Sequence, residues 1–123
     1  MKQVIEQSAA LEELQLIEDD LGVTIDEDNR KRVARAIGRG LITYADGEFE
    51  LKLVAPIALE NGKTVDKITV AEPTAEQIKR ATGDELTMSI KLIAAISGQP
   101  VGVIDRMKMR DLTNAGALLA FFG

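Results

Sequence analysis

Few side chains in this sequence are equipped for chemistry. There is no His and no Cys, which removes thiolate nucleophiles, the usual zinc ligands and the best proton-transfer group near neutral pH. Ser8, Ser89 and Ser97 therefore have only Lys available as an activating base. Asp19-Asp20 and Asp26-Glu27-Asp28 supply oxygen ligands. They lack the alternating spacing and closing Glu of a calcium loop, and acids at helix ends explain them more simply. Gly38-Arg39-Gly40 has no downstream Gly-Lys-Ser/Thr and so does not make a phosphate-binding loop. Neither an enzyme nor a cofactor or metal site is expected. One basic motif remains: Arg32, Arg35 and Arg39, spaced i, i+3 and i+7. This stripe is either a phosphate-contacting helix face or a solvated face held by salt bridges, and acids one turn away favour the second.

The elements that must carry these residues can be read in order. Residues 4 to 21 predict an amphipathic helix whose face is Ala10, Leu14, Ile17 and Leu21, with Gly22 as its C-cap. Leu11 and Leu16 lie off that face and either widen the stripe or touch a partner. A second helix should begin near Asp26, supported by Asp26/Arg30, Glu27/Lys31 and Asp28/Arg32 at i, i+4. Its buried side is Val33, Ile37 and Leu41. Asp46-Gly47 and Asn61-Gly62 are tight-turn pairs between β-rich runs, and Phe49, Leu51 and Leu53 alternate with charged residues. Pro56 should bend the ladder or mark an edge.

The fold turns on Ile68 to Thr74. Ile68-Thr69-Val70 is β-branched, Pro73 ends pairing, and Thr74 stands three residues before Gln77 as in a capping box. A short helix should follow, with Ile78 inside, and then a helix from Asp84 to Ser97 capped from Thr82. That second helix is apolar on most sides and is expected to be central to the core. Gly98-Gln99-Pro100 stops it, Val101 to Ile104 connects, and a last helix spans Lys108 to Phe122. On it Leu112, Ala115, Leu119 and Phe122 share a face, leaving Leu118 and Phe121 outside. The expected fold is α+β: two helices, a small antiparallel sheet of three or four strands, then a helical bundle of three or four helices.

Composition bounds the rest. With 46% apolar residues, a core is available in one domain, but three Phe and one Tyr make it an aliphatic one. No apolar run reaches the roughly 20 residues of a membrane span, and residues 1–6 lack a signal peptide's apolar region. A soluble cytoplasmic protein is expected. Residues 1–50 hold six basic against twelve acidic side chains, a net −6, whereas residues 51–123 net +1. Such acidity argues against broad phosphate binding.

From about residue 50 to 122 the sequence resembles the tail assembly chaperones of long-tailed bacteriophages, the family that includes the E, 41 and 14 proteins. The matching features follow one another in order. They are Leu53-Val54-Ala55-Pro56-Ile57, Asn61-Gly62-Lys63, the Ile68 to Thr74 junction, and the aliphatic helix from Ile90 to Pro100. Ile104-Asp105, Met107 and Asp111-Leu112 come next, and Phe121-Phe122 close the series. On this resemblance residues 46–123 form a chaperone-like region and residues 1–45 a helical extension, within one compact body.

The resemblance implies a non-enzymatic assembly factor of the host cytoplasm. It would bind the tape-measure protein, keep it soluble and help recruit tail-tube subunits, with homo-oligomerisation left open and no membrane partner. Leu118 and Phe121, with Met107 and Met109, are the candidate anchors for a partner helix, unless all four belong to the core. A rival reading is a small winged-helix regulator, because helix, basic helix and hairpin follow in that order over residues 4–54, with Arg32, Arg35 and Arg39 on the recognition helix. A structural virion subunit is a third reading, and it would need more β-sheet.

Overall fold

The computed structural model describes residues 7–122. Residues 1–6 and Gly123, including the start expected for the first helix at residue 4, lie outside them. Helix α1 (Gln7–Leu21) buries Ala10, Leu14 and Ile17 as the spacing predicts, and Gly22 ends it at φ +70°. Helix α2 (Glu27–Gly38) packs beside it and buries Val33, Ala34, Ala36 and Ile37. The three i, i+4 ion pairs expected along α2 are not among the ion pairs of the described residues. The competing partners are stronger. Asp26 is the N-cap, accepting from the Asn29 N–H, and Arg30 turns to Glu18 on α1. Glu18 is buried and also accepts the Ile25 N–H at 2.9 Å, so the α1–α2 connection closes over a satisfied charge.

Strands β1 (Ile42–Ala45), β2 (Glu48–Ala58) and β3 (Thr64–Val70) form one antiparallel sheet in sequence order. Asp46 and Gly47 have φ +52° and +81°, the two left-handed residues of a primed hairpin turn. Asn61-Gly62 departs from that expectation and sits in a wider loop. The Gly62 N–H closes a turn onto the Leu59 carbonyl at 3.1 Å, and Asn61 accepts from the Lys63 N–H. Strand β2 runs through Pro56, but its pairing does not. Between the Lys52↔Lys67 and Ile57↔Val65 pairs, β2 places Leu53 to Pro56 opposite Asp66 alone.

After the sheet come α3 (Ala75–Arg80), α4 (Glu85–Ser97), α5 (Val101–Ile104) and α6 (Met109–Leu119), with a closing 3-10 turn Ala120–Phe122. The Thr74/Gln77 capping box forms in full. Helix α4 is capped by Asp84, which accepts the Thr87 N–H at 2.8 Å, and not by Thr82. Asp84 stands immediately before the first helical residue, whereas Gly83 at φ +128° turns the chain between Thr82 and the helix. One buried cluster joins α1, α2, the inner face of the sheet, the end of α4 and α6. The other three aromatic rings gather around buried Phe49. Tyr44 and Phe121 lie 4.9 Å from it and Phe122 6.0 Å, centroid to centroid. Tyr44 also donates its hydroxyl to Asp20, which fastens β1 to the end of α1 and, with partial burial, raises the phenol above its usual range.

The aspartate caps carry a pH dependence. The Asn29 and Thr87 N–H groups hold Asp26 and Asp84 below the ordinary value of 3.8 by stabilising the carboxylate. A depressed folded-state value gives stability that is complete above 3.8 and lost as the pH falls through the folded value. Asp84→Ala is therefore expected to lower the urea midpoint at neutral pH. The gap to the parent protein should close as both are taken into acid. A gap that stays constant across that range would contradict the cap.

Candidate functional site

Helix α6 decides which apolar side chains remain for a partner. Asp111 sits in its first turn, fully buried, with Oδ1 accepting the Val54 N–H at 2.8 Å and Oδ2 the Ala55 N–H at 3.0 Å. Those two donors belong to the stretch of β2 left out of the β3 register. The contact sets the rotation of α6. Residues four and seven positions on, Ala115 and Leu118, follow Asp111 to the inside. The helix then tightens into the 3-10 turn, which adds about 20° of rotation per residue. That swing brings Phe121 onto Phe49 and leaves Phe122 half-buried.

The expected anchors divide accordingly. Leu118 and Phe121 are interior residues, which corrects the expectation that they lie outside the buried face of the last helix, and Met107 is buried with them. Only Met109 stands free, at 61% exposure. Of the other exposed large apolar side chains of the helical half, the sequence assigns those of α3 and α4 inward. Ile78, expected on the inner side of α3, is 54% exposed, because this six-residue helix buries none of its own residues and docks through Ala81 at its end. Helix α4, expected at the centre of the core, buries only Ile93 and Ala94. Its second half meets β3 and α6, while the first turns stand clear and expose Leu86 and Met88. Val101 of α5 is exposed as well.

A groove of about 540 Å³ runs where α3, α4 and α5 meet. Ala81, Ala95 and Val101 supply its apolar lining and Gln77, Arg80 and Lys91 its polar edge. Met88 is not a lining residue but neighbours Lys91 one turn earlier on α4. The groove walls are tied together from both ends. Lys91 Nζ donates to the Thr82 carbonyl at 2.9 Å, and Gln77 Nε2 donates to the Ala95 carbonyl at 3.4 Å. Arg80 pairs with Glu76 along α3 at 2.8 Å. The trough is thus held on both sides and lined by three apolar residues among polar ones, Thr74 and Glu76 completing the lining.

The arginine stripe of α2 is exposed as the sequence predicts, but it is not alone. Arg32, Arg35 and Arg39 share a second cleft, of about 200 Å³, with Arg110 of α6 and with Val54. No local signal links Arg110 to the stripe, since the packing of α6 on α2 brings them together. Among the described residues no group of three or more acidic side chains is placed to hold a metal ion, and no helix is long and apolar enough to cross a membrane.

A family model described as phage tail assembly chaperone proteins, E, or 41 or 14, matches residues 50–123. The match takes in β2 from its third residue, β3 and all the helices that follow, and therefore the groove, Asp111 and Met109. Comparison with curated proteins and with solved structures gives no match.

Proposed function

The chain belongs to the phage tail assembly chaperone family, and from that premise we propose that it binds the tape-measure protein in the host cytoplasm. It does so without catalysis, keeping that protein soluble and helping tail-tube subunits gather around it. The observation that carries this reading is the distribution of uncovered apolar side chains. Of eight large hydrophobic residues exposed among those described, six fall within the matched region: Val54, Ile78, Leu86, Met88, Val101 and Met109. Val101 lines the groove and Met88 lies one turn from it, and apolar side chains gathered at a groove mark an interaction surface. A long helical chain with an apolar stripe needs a cover of this kind, and helix-in-groove contacts demand little beyond anchors at helical spacing. Two of the six are Met, whose flexible thioethers adapt to a stripe of varied sequence.

Met88 and Val101 join Met109 in place of the buried Leu118, Phe121 and Met107. Changing Met88, Val101 and Met109 to Ser removes about 1 kcal/mol each and should weaken capture of the tape-measure protein roughly a hundredfold. Helical circular dichroism and cooperative melting should be retained, because none of the three is buried. The assay is co-expression with the tape-measure protein, reading its soluble fraction and its co-purification. A folded triple variant that holds the partner as well as the parent does would overturn the reading.

A further inference from the structure

The N-terminal half carries a surface that matches the arginine cleft in shape and charge. Leu16 is the most exposed large hydrophobic residue described, at 68%, and projects from the outer face of α1. Its neighbours at i−4, i−3, i+3 and i+4 are Glu12, Glu13, Asp19 and Asp20, all exposed. Residues at these spacings surround one another on a helix. Leu16 is thus an apolar knob inside a ring of four carboxylates, two of which also accept a local bond, Asp19 from Gln15 and Asp20 from Tyr44.

The cleft between α2 and α6 is the inverse. Val54, 42% exposed, lies among Arg32, Arg35, Arg39 and Arg110. No carboxylate lines the cleft, and none of these guanidiniums is in an ion pair among the described residues. Four unneutralised cations around one recess repel each other at distances that physiological salt only partly screens. We propose that a second copy of this chain fills the cleft, its α1 placing Leu16 against Val54 and its four carboxylates against the four arginines.

Polyphosphate is a poorer occupant. The cleft is small, the α2 turn that precedes it exposes Glu27 and Asp28, and the whole chain is net −5. A nucleic acid backbone running past the cleft meets repulsion, whereas a single helix face meets complementary charge only where it docks. The two patches differ, so copies join either as a reciprocal pair or head to tail into a ring or open chain. This association is independent of what the groove between α3, α4 and α5 receives.

Sedimentation equilibrium of the full chain at about 0.01 M and about 1 M salt reads the contact, the Debye length falling from roughly 30 Å to 3 Å. The parent should associate at low salt and dissociate at high salt. Glu12→Lys with Asp19→Lys, and separately Arg35→Glu with Arg39→Glu, should each weaken association about a hundredfold. An equimolar mixture of the two reversed proteins should associate again, because each then offers the other a complementary face. Leu16→Ser keeps every charge and should weaken association about tenfold. All the changed side chains are exposed, and circular dichroism verifies the folds. A parent that stays monomeric at low salt, a reversed variant that associates unchanged, or a mixture that does not re-form the contact overturns the proposal. Salt-sensitive binding of duplex DNA by a monomeric parent does so as well.

Discussion

Cutting Leu118 and Phe121 back to Ala together is expected to leave no cooperatively folded protein at ambient temperature. Both side chains are buried, Leu118 fully, and the Phe121 ring lies 4.9 Å from Phe49. Leu→Ala in a core costs about 2–5 kcal/mol and Phe→Ala about 3–5 kcal/mol, cavity included. Their sum, about 5–10 kcal/mol, is comparable with the whole stability of a domain this size, about 5–15 kcal/mol. The single variants should fold with melting temperatures lowered by roughly 10–20 °C. Met109→Ala, at the opposite end of the same helix and exposed, should stay within about 0.5 kcal/mol of the parent. Thermal melts followed by near- and far-ultraviolet circular dichroism separate these outcomes. A double variant that melts cooperatively within a few degrees of the parent would place the two residues on the surface and return them to the set of partner anchors.

That test bears on what could be read before the fold was known. Signals confined to a few neighbouring residues were legible. Asp46-Gly47 gives its turn, Thr74 its capping box, Asp26 the approximate start of α2 and Gly22 the stop of α1, because each works through backbone groups within four residues. Helix faces were legible where one partner surface covers them, as for Ala10, Leu14 and Ile17. They misled where several apolar rows compete. On α6 two candidate faces are almost equally apolar, and the choice between them belongs to Asp111, whose partners are 56 and 57 residues away. On α4 apolarity on most sides suggested burial, yet the sheet and α6 cover only the second half. Arg30 was assigned to Asp26 by spacing, but buried Glu18, twelve residues back, outcompetes an exposed acid for a guanidinium. The candidate site suffered most. Its exposed apolar residues look like core in sequence, and the fourth arginine of the cleft is seventy-one residues from Arg39.

Asp111→Ala is expected to lower stability by about 3 kcal/mol, or roughly 10–15 °C in melting temperature. The carboxylate makes two charge-assisted bonds, each contributing about 1.5–3 kcal/mol, and relief from holding a charge in the interior offsets part of that sum. Asp111→Asn keeps one carbonyl acceptor but turns an NH2 toward the second donor, so about half the effect should remain. The two variants therefore grade the contact itself and not simply the volume at residue 111. Amide exchange gives the local reading: Val54 and Ala55 should lose protection in both variants, more in Ala, while the Phe49–Val70 end of the ladder stays protected. The consequence extends beyond stability. Asp111 locks the rotation that hides Leu118 and Phe121 and leaves Met109 outside, and it also holds Val54, which lines the arginine cleft. If Asp111→Ala were as stable as the parent and kept Val54 and Ala55 protected, the inward faces of α6 would have to be set by the apolar side chains alone.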